Sequence, residues 1–134
     1  MSFYNSSQSA RVGFIGSSGN STSYNSGSDY RLKDNVINMS GALSKLSTLR
    51  PVTFTWKVSP EVGTVSGFIA HELDEVFPEA VTGEKDAMCS DGVTPNYQMV
   101  DLSKLVPLLT AAIQEQQALI AALQADVAAL KGQA

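Results

Sequence analysis

The longest regular pattern of apolar positions lies in the C-terminal part of the chain. Apolar residues recur there in alternating steps of three and four, the spacing of the a and d positions of a heptad repeat. The a positions hold Val106, Ile113, Ile120 and Val127, and the d positions hold Leu109, Gln116, Leu123 and Leu130. We interpret these positions as a seam that packs against other copies of the chain. An amphipathic helix that packs on its own domain is the alternative.

Neighbouring positions bear on how many helices would share this seam. The g positions Leu105, Ala112 and Leu119 widen the apolar face, which favours a coiled coil of more than two helices. β-branched residues at a with Leu at d favour two strands when taken alone. Gln116 is the one polar d residue, which suits a device for fixing register. Pro107 falls near the start of the helix, where it either occupies the first turn or kinks the helix.

The middle of the chain, residues 28–100, mixes helical and strand patterns. Ser40, followed by apolar residues at helical spacing, predicts a capped short helix over 42–49. Strict alternation over 52–58 predicts a half-buried strand. A proline and a glycine then predict a turn into a second strand over 65–69.

A second helix and a short strand complete the middle region. Helical spacing over 73–77 predicts a helix that stops at Pro78, because a proline disfavours helical geometry in the residue before it. The polar stretch 83–95 predicts a loop, and 97–100 predicts a short strand.

Residues 1–27 differ in composition from the rest, since Ser, Asn, Gly and Thr dominate them. Such a segment cannot bury enough apolar surface to form a core of its own. Its one ordered-looking piece is a possible short strand over 12–15, so the segment is either a flexible arm or the end of a repetitive β-structure that continues upstream. The whole pattern predicts an α+β protein: this segment, a small mixed globular domain over 28–100, and a long C-terminal coiled-coil helix over 101–134.

Composition excludes several classes of function. A net charge of -4 and a pI near 4.8 argue against a nucleic-acid partner, because a phosphate backbone requires a basic stripe. No apolar run approaches the length of a membrane span, and the N-terminus lacks the basic start and apolar core of a signal peptide, so we expect no membrane partner. A single cysteine, Cys89, and a single histidine, His71, exclude a disulfide framework and a thiolate or histidine-rich metal site. We expect no cofactor and synthesis in a reducing compartment.

Candidate chemistry is concentrated in the run Ser28-Asp-Tyr-Arg-Leu-Lys33. A serine hydroxyl is a weak nucleophile and needs a base, which Lys33 can supply if it is desolvated or placed near a second cation such as Arg31. Gly27 precedes Ser28 and permits strained backbone conformations, which leave its carbonyl open to attack. The alternative is structural, with Ser-Asp as a cap or turn and the basic residues solvated.

These residues resemble the opening motif of the intramolecular chaperone auto-processing domains of phage tailspikes, tail fibres, neck appendages and endosialidases. Further motifs of the same kind follow in order: Ala42-Leu43-x-x-Leu46-x-x-Leu49-x-Pro51-Val52-x-Phe54-x-Trp56-Lys57, Gly67-Phe68-Ile69-Ala70-His71-Glu72-Leu73, Pro78-Glu79-Ala80-Val81 and Tyr97-x-x-Val100. With the terminal helix, the resemblance covers residues 28 to about 131. Several ordered motifs are more specific than any one of them.

The resemblance implies a homotrimer that directs folding of the fibre segment upstream in the same chain and then cuts itself off. It implies Gly27–Ser28 as the scissile bond, Ser28 as the nucleophile and Lys33 as its activating base. His71 lies where similar domains can carry Gln, so we interpret it as an assisting or positioning residue, with Glu72 a further candidate. For both residues the alternative is a satisfied polar side chain on a short helix.

The same resemblance implies where the protein acts. We expect synthesis in the cytoplasm of a bacterial host, a mature fibre on the virion that serves host attachment, and release of the chaperone domain after cleavage. A structural trimerisation tail that never cuts is the main alternative. A serine/lysine hydrolase acting on separate substrates, and a module of a membrane-tethered eukaryotic transcription factor, are the others.

The spacing of the two proposed catalytic residues raises a geometric difficulty. Lys33 follows Ser28 by five positions. On a helix the two side chains would lie about 140° apart, and on a strand they would point to opposite faces. Either the backbone turns between them, or the lysine comes from a neighbouring subunit, which would make cutting conditional on assembly.

Overall fold

The computed structural model describes residues 1–4 and 10–132. Residues 5–9 of the expected polar arm and 133–134 of the expected helix lie outside the described residues. The chain divides into two compact units, Met1–Asn38 and Met39–Ala134. Small antiparallel sheets, short helices and one long C-terminal helix make up the described part, which confirms the predicted α+β character.

The first unit contains a three-stranded antiparallel sheet in the order β1 (Ser2–Tyr4), β2 (Arg11–Ser18) and β3 (Ser21–Ser26). Ser18 lies opposite Ser21 across a two-residue hairpin, and Gly19 in that hairpin has φ 55°. Glycine adopts this left-handed conformation without steric cost. The predicted strand over 12–15 is thus the inner part of a longer strand, and the described part of the segment forms β-structure.

This sheet has no hydrophobic core of its own. None of the described residues in the first unit is buried, and the half-buried ones lie in the middle of β2. Phe14 is among them, with the guanidinium carbon of Arg11 4.7 Å from its ring centroid. A small sheet normally needs an apolar face packed on something to be stable in water.

The core of the second unit lies between two short helices and the start of the long one. The short helices are α1 (Ala42–Thr48) and α2 (Ala70–Val76), and the long one is α3 (Leu105–Gly132). The buried residues of this core are Ala42, Leu73, Phe77, Ala80, Leu105, Leu108, Ala111 and Ala112. Leu108 and Ala42 are fully buried. The core therefore fastens the first turns of α3 to α1 and α2.

The N-terminus of α1 is capped differently from the prediction. Ser40 is not the N-cap; Gly41 is, with φ 69° and no side-chain hydrogen bond of its own. The carboxylate of Glu115, on α3, accepts hydrogen bonds from the backbone N–H of Ala42 at 3.0 Å and of Leu43 at 2.8 Å. The cap was predicted wrongly because it is supplied by tertiary packing, from more than seventy residues away along the chain.

The first predicted strand is shorter than its alternating pattern. Strand β4 (Val52–Phe54) pairs antiparallel with β5 (Val65–Gly67). Beyond β4, strand pairing continues only as an isolated bridge between Trp56 and Ser59. The Trp56 ring meets the ring of Phe54 edge-on, with the ring centroids 5.0 Å apart. Val58, predicted to face the core, is 91% exposed, because the chain turns back between Trp56 and Ser59.

The remaining predicted elements of the second unit are present with different bounds, since α2 is longer than predicted and the strands are shorter. Helix α2 is followed at Pro78 by a 3-10 turn, Pro78–Ala80. Strand β6 (Val81–Thr82) pairs antiparallel with β7 (Met99–Val100), which is the predicted strand near 97–100 in shortened form. The loop between these strands includes the stretch 83–95, as predicted.

Helix α3 packs on its own unit with a face other than the seam. Its buried residues are Leu105, Leu108, Ala111 and Ala112. The apolar a and d residues are instead exposed by between 41% and 68%: Val106, Leu109, Ile113, Ile120, Leu123, Val127 and Leu130. The alternative of packing on its own unit therefore holds for the first turns of α3, and packing of the seam against other copies stays a prediction.

This division of faces weakens one argument about the number of helices in the bundle. The g positions Leu105 and Ala112 are buried within the unit, so only the third, Leu119, at 56% exposure, widens the exposed seam. Pro107 lies in the first turn of α3, where its missing N–H leaves no helical hydrogen bond unmade.

Candidate functional site

The predicted cut site lies where the chain leaves β3. The N–H of Gly27 donates a hydrogen bond to the carbonyl oxygen of Val12 at 2.6 Å. A Cβ at Gly27 would lie 3.1 Å from that oxygen, a closer approach than side chains usually make. Gly27 is not among the described glycines with positive φ, so the expected strained backbone is not what favours glycine here. Glycine is favoured here because the backbone of Gly27 lies close to the carbonyl oxygen of Val12.

A single 3-10 turn, Tyr30–Leu32, follows directly and resolves the spacing difficulty. The N–H of Leu32 donates to the carbonyl of Asp29, and the N–H of Lys33 donates to the carbonyl of Tyr30, both at 3.1 Å. This turn brings Lys33 back toward Ser28. The Lys33 Nζ donates a hydrogen bond to the Ser28 Oγ at 2.7 Å. The backbone turn is sufficient, and a lysine from a neighbouring subunit is not needed for this contact.

Asp29 organises the start of the turn. Its Oδ1 accepts hydrogen bonds from the Arg31 backbone N–H and from the Arg31 Nε, each at 2.9 Å. Its Oδ2 accepts from the Arg31 Nη2 at 2.7 Å. The hydrogen bonds to Arg31 lower the pKa of Asp29 and raise the pKa of Arg31. Arg31, expected as a cation acting on Lys33, has its charge matched by Asp29.

Both members of the Ser28–Lys33 pair are exposed in the single chain. The apolar side chains beside them are exposed as well, with Tyr30 at 81% and Leu32 at 63%. An amine acts as a base only in its neutral form, which a surrounding of low polarity favours. Protein packed over this apolar turn would supply such a surrounding.

His71 and Glu72 lie in the second unit, in the first turn of α2. The Arg50 Nε donates to the Glu72 Oε2 at 2.9 Å, and the Arg50 Nη2 binds the other carboxylate oxygen. The hydrogen bond from Arg50 lowers the pKa of Glu72. Glu72 is thus a satisfied polar residue in this unit. His71 lines a cleft of about 410 Å³ together with residues 84–88 and 95–98.

A second cleft, of about 600 Å³, was not predicted from the sequence. It is mainly apolar and is lined by residues of β4, β5 and β7, among them Phe54 and Met99, and by Phe68, which follows β5. Aromatic residues on a short strand were visible in the sequence, but the way that three strands meet around this cleft was not.

Other kinds of site have no counterpart in the described parts of the chain. Residues 1–4 and 10–132 contain no grouping of His, Cys, Asp and Glu that could hold a metal ion. Within the same ranges, no helix has the length and apolar character needed to cross a membrane. Cys89 is an exposed free thiol.

Comparison with known families agrees with the motifs. Residues 28–82 match the model of a family that is named as a peptidase and described as the chaperone of endosialidase. This match confirms the resemblance seen in the sequence over these residues and is consistent with an intramolecular chaperone role. The match begins at Ser28, the residue whose hydroxyl accepts a hydrogen bond from Lys33. No curated protein matches the chain.

Proposed function

We propose, from the match of residues 28–82 to the chaperone of endosialidase family, that this chain is a self-cleaving C-terminal intramolecular chaperone. In this proposal it forms a homotrimer, directs folding of a phage fibre or spike segment upstream, and cuts at Gly27–Ser28. The observation that carries the proposal is the 2.7 Å contact between Ser28 Oγ and Lys33 Nζ, at the residue where the family match begins.

The proposed chemistry uses the covalent connection between nucleophile and scissile bond. The Ser28 Oγ attacks the Gly27 carbonyl carbon through a five-membered ring, while neutral Lys33 accepts the hydroxyl proton. Lys33 returns that proton to the Ser28 nitrogen as the carbon–nitrogen bond breaks, which leaves an ester on Ser28 and a free amine. Water then hydrolyses the ester to the Gly27 carboxylate and the Ser28 hydroxyl. Intramolecular reactions of this sort reach effective molarities of roughly 10⁵ M or more.

The exposed seam of α3 supports assembly. A row of partly exposed Ile, Leu and Val residues along one helix face is unfavourable in water and is buried when helices associate. The intrachain core uses a different face, so the seam is free for other copies of the chain. A trimeric nucleus would hold three upstream segments together at high local concentration.

The exposed sheet of the first unit supports the proposal that the chain's partner is its own upstream segment. A three-stranded sheet with no buried residue gains stability when it continues into further β-structure. We therefore assign 1–27 to the end of the fibre, made in the bacterial host cytoplasm and carried on the virion, where it serves host attachment. Assembly would also cover the apolar turn around Tyr30 and Leu32, so that cutting follows trimerisation and the released domain leaves a kinetically stable fibre.

One alternative has an observation in its favour. A structural trimerisation tail that never cuts is consistent with the exposure of Ser28 and Lys33 in the single chain. The experiment is intact mass, measured on denatured protein, of the unmodified chain beside Ser28→Ala and Lys33→Ala. Two fragments meeting at Gly27/Ser28 in the first sample only support self-cleavage. Full-length mass in all three samples supports the structural tail and removes the enzyme proposal.

A further inference from the structure

We infer that Asp29 and Arg31 are positioning residues for the cut: their ion pair holds the turn that carries Lys33 to Ser28. The inference rests on the proposed function and adds to it two residues whose side chains bind each other. It concerns only the segment from Ser28 to Lys33, which lies within the first unit.

The pair is built as a clasp around the turn. One carboxylate accepts the backbone N–H of Arg31 and two N–H groups of the guanidinium, at 2.9, 2.9 and 2.7 Å. A planar guanidinium that meets both carboxylate oxygens fixes direction as well as distance. We refer to Asp29 and Arg31, with these three hydrogen bonds, as the clasp.

The turn needs such a clasp because its own hydrogen bonds are weakly protected. It consists of three residues, none of them buried, and a 3-10 turn of this length is marginal in water. Asp29 before the turn and Lys33 after it are both extended, with ψ of 135° and 130°. If the turn opened, this stretch would become a continuous extended segment, and Lys33 would point to the face opposite Ser28.

The clasp also engages both oxygens of the Asp29 carboxylate. With Arg31 present, the negative charge of Asp29 is matched by a guanidinium. If Arg31 were lost, the freed carboxylate would be available to attract the Lys33 ammonium and draw it away from the Ser28 Oγ. Replacing Arg31 therefore damages cutting more than converting Asp29 to Asn, which removes the charge but keeps an oxygen for the backbone N–H.

The test compares first-order rates of cutting in the full chain, followed by intact mass after refolding at neutral pH. The variants are Asp29→Asn, Arg31→Gln and the double variant. Asp101→Asn is the matched control, because Asp101 caps a second 3-10 turn, Leu102–Lys104, by the same hydrogen bond to the residue two positions on. Melting temperature and oligomer mass of each variant show whether it still folds and assembles.

We expect Arg31→Gln to slow cutting by about tenfold to a hundredfold, the scale of a misplaced catalytic group. Asp29→Asn should have a smaller effect, and the control should cut within about twofold of the unmodified chain. The effect of Arg31→Gln should be reduced in the double variant, because no carboxylate remains to bind Lys33. Melting temperatures should stay unchanged, since exposed ion pairs contribute little to stability.

The outcomes separate this inference from the proposed function. If the unmodified chain cuts and both clasp variants cut at its rate, the inference is wrong and the proposed function stands. Equal slowing by the control, or slowing that follows a lower melting temperature, also overturns the clasp as a positioning device. If the unmodified chain is never cut, the proposed function fails first and the inference fails with it.

Discussion

The seam of α3 permits a quantitative test on one residue, Leu123, at a d position near the middle of the free part of the helix. Leu123 is 62% exposed in the single chain. Complete burial of a leucine side chain stabilises by about 1.5–3 kcal/mol, so burying the exposed fraction contributes about 1–2 kcal/mol per chain. Because three chains would lose this contribution together, Leu123→Ala should destabilise a trimer by about 3–6 kcal/mol. That corresponds to about a 10²- to 10⁴-fold change in the dissociation constant.

The assay is oligomer mass as a function of dilution, by sedimentation equilibrium or mass photometry. The Ser28→Ala background keeps every chain uncut, so that loss of oligomer is not confused with cutting. The matched control is Gln114→Ala, an exposed b position on the same helix, away from the seam. Leu123→Ala should dissociate at much higher protein concentration than the control.

Two results would refute this reasoning. If Leu123→Ala and Gln114→Ala dissociate at the same concentration, the seam is not the surface that holds the copies together. If the parent chain is monomeric at every concentration, the exposed apolar row has a different role. A stable dimer in place of a trimer would keep the seam but correct the number of strands.

Three further perturbations follow from the geometry. Leu108→Ala should lower the free energy of unfolding by about 2–5 kcal/mol, measured by chemical denaturation, because Leu108 is fully buried. Backbone N–H groups of Leu43 and Ala42 hold the pKa of Glu115 below its ordinary 4.5. Its stabilising contribution is therefore complete above that value and is lost as pH falls through the lower, folded-state pKa, so Glu115→Gln should reduce the loss of melting temperature in acid. Gly27→Ala should slow cutting several-fold in an intact-mass time course, because the new Cβ would crowd the Val12 carbonyl.

The sequence predicted the elements whose signal is periodic and local. The heptad spacing located α3, and the apolar spacing before Pro78 located α2, because these patterns depend only on which face of a helix is apolar. The motif beginning at Ser28 identified the family that the comparison then matched over residues 28–82. These predictions needed no knowledge of what lies far away along the chain.

The missed features depend on contacts between distant segments or on side-chain geometry. The cap on α1 comes from Glu115, which no pattern around Ser40 reveals. The alternation through Val58 predicted burial, but the chain turns before that residue can pack. At the candidate site, Ser28 and Lys33 were named from the motif, whereas the turn that joins them and the Asp29–Arg31 pair within it are visible only in the structure.

The two faces of helix α3 differ in what they can determine. One face determines whether a chain folds, and the other is free to determine how long several chains stay together. In the proposed trimer, substitutions along the seam would therefore lengthen or shorten the lifetime of the assembly while the fold of each chain is unaffected. A few seam residues would then be enough to match that lifetime to the time that the proposed upstream segment needs to mature.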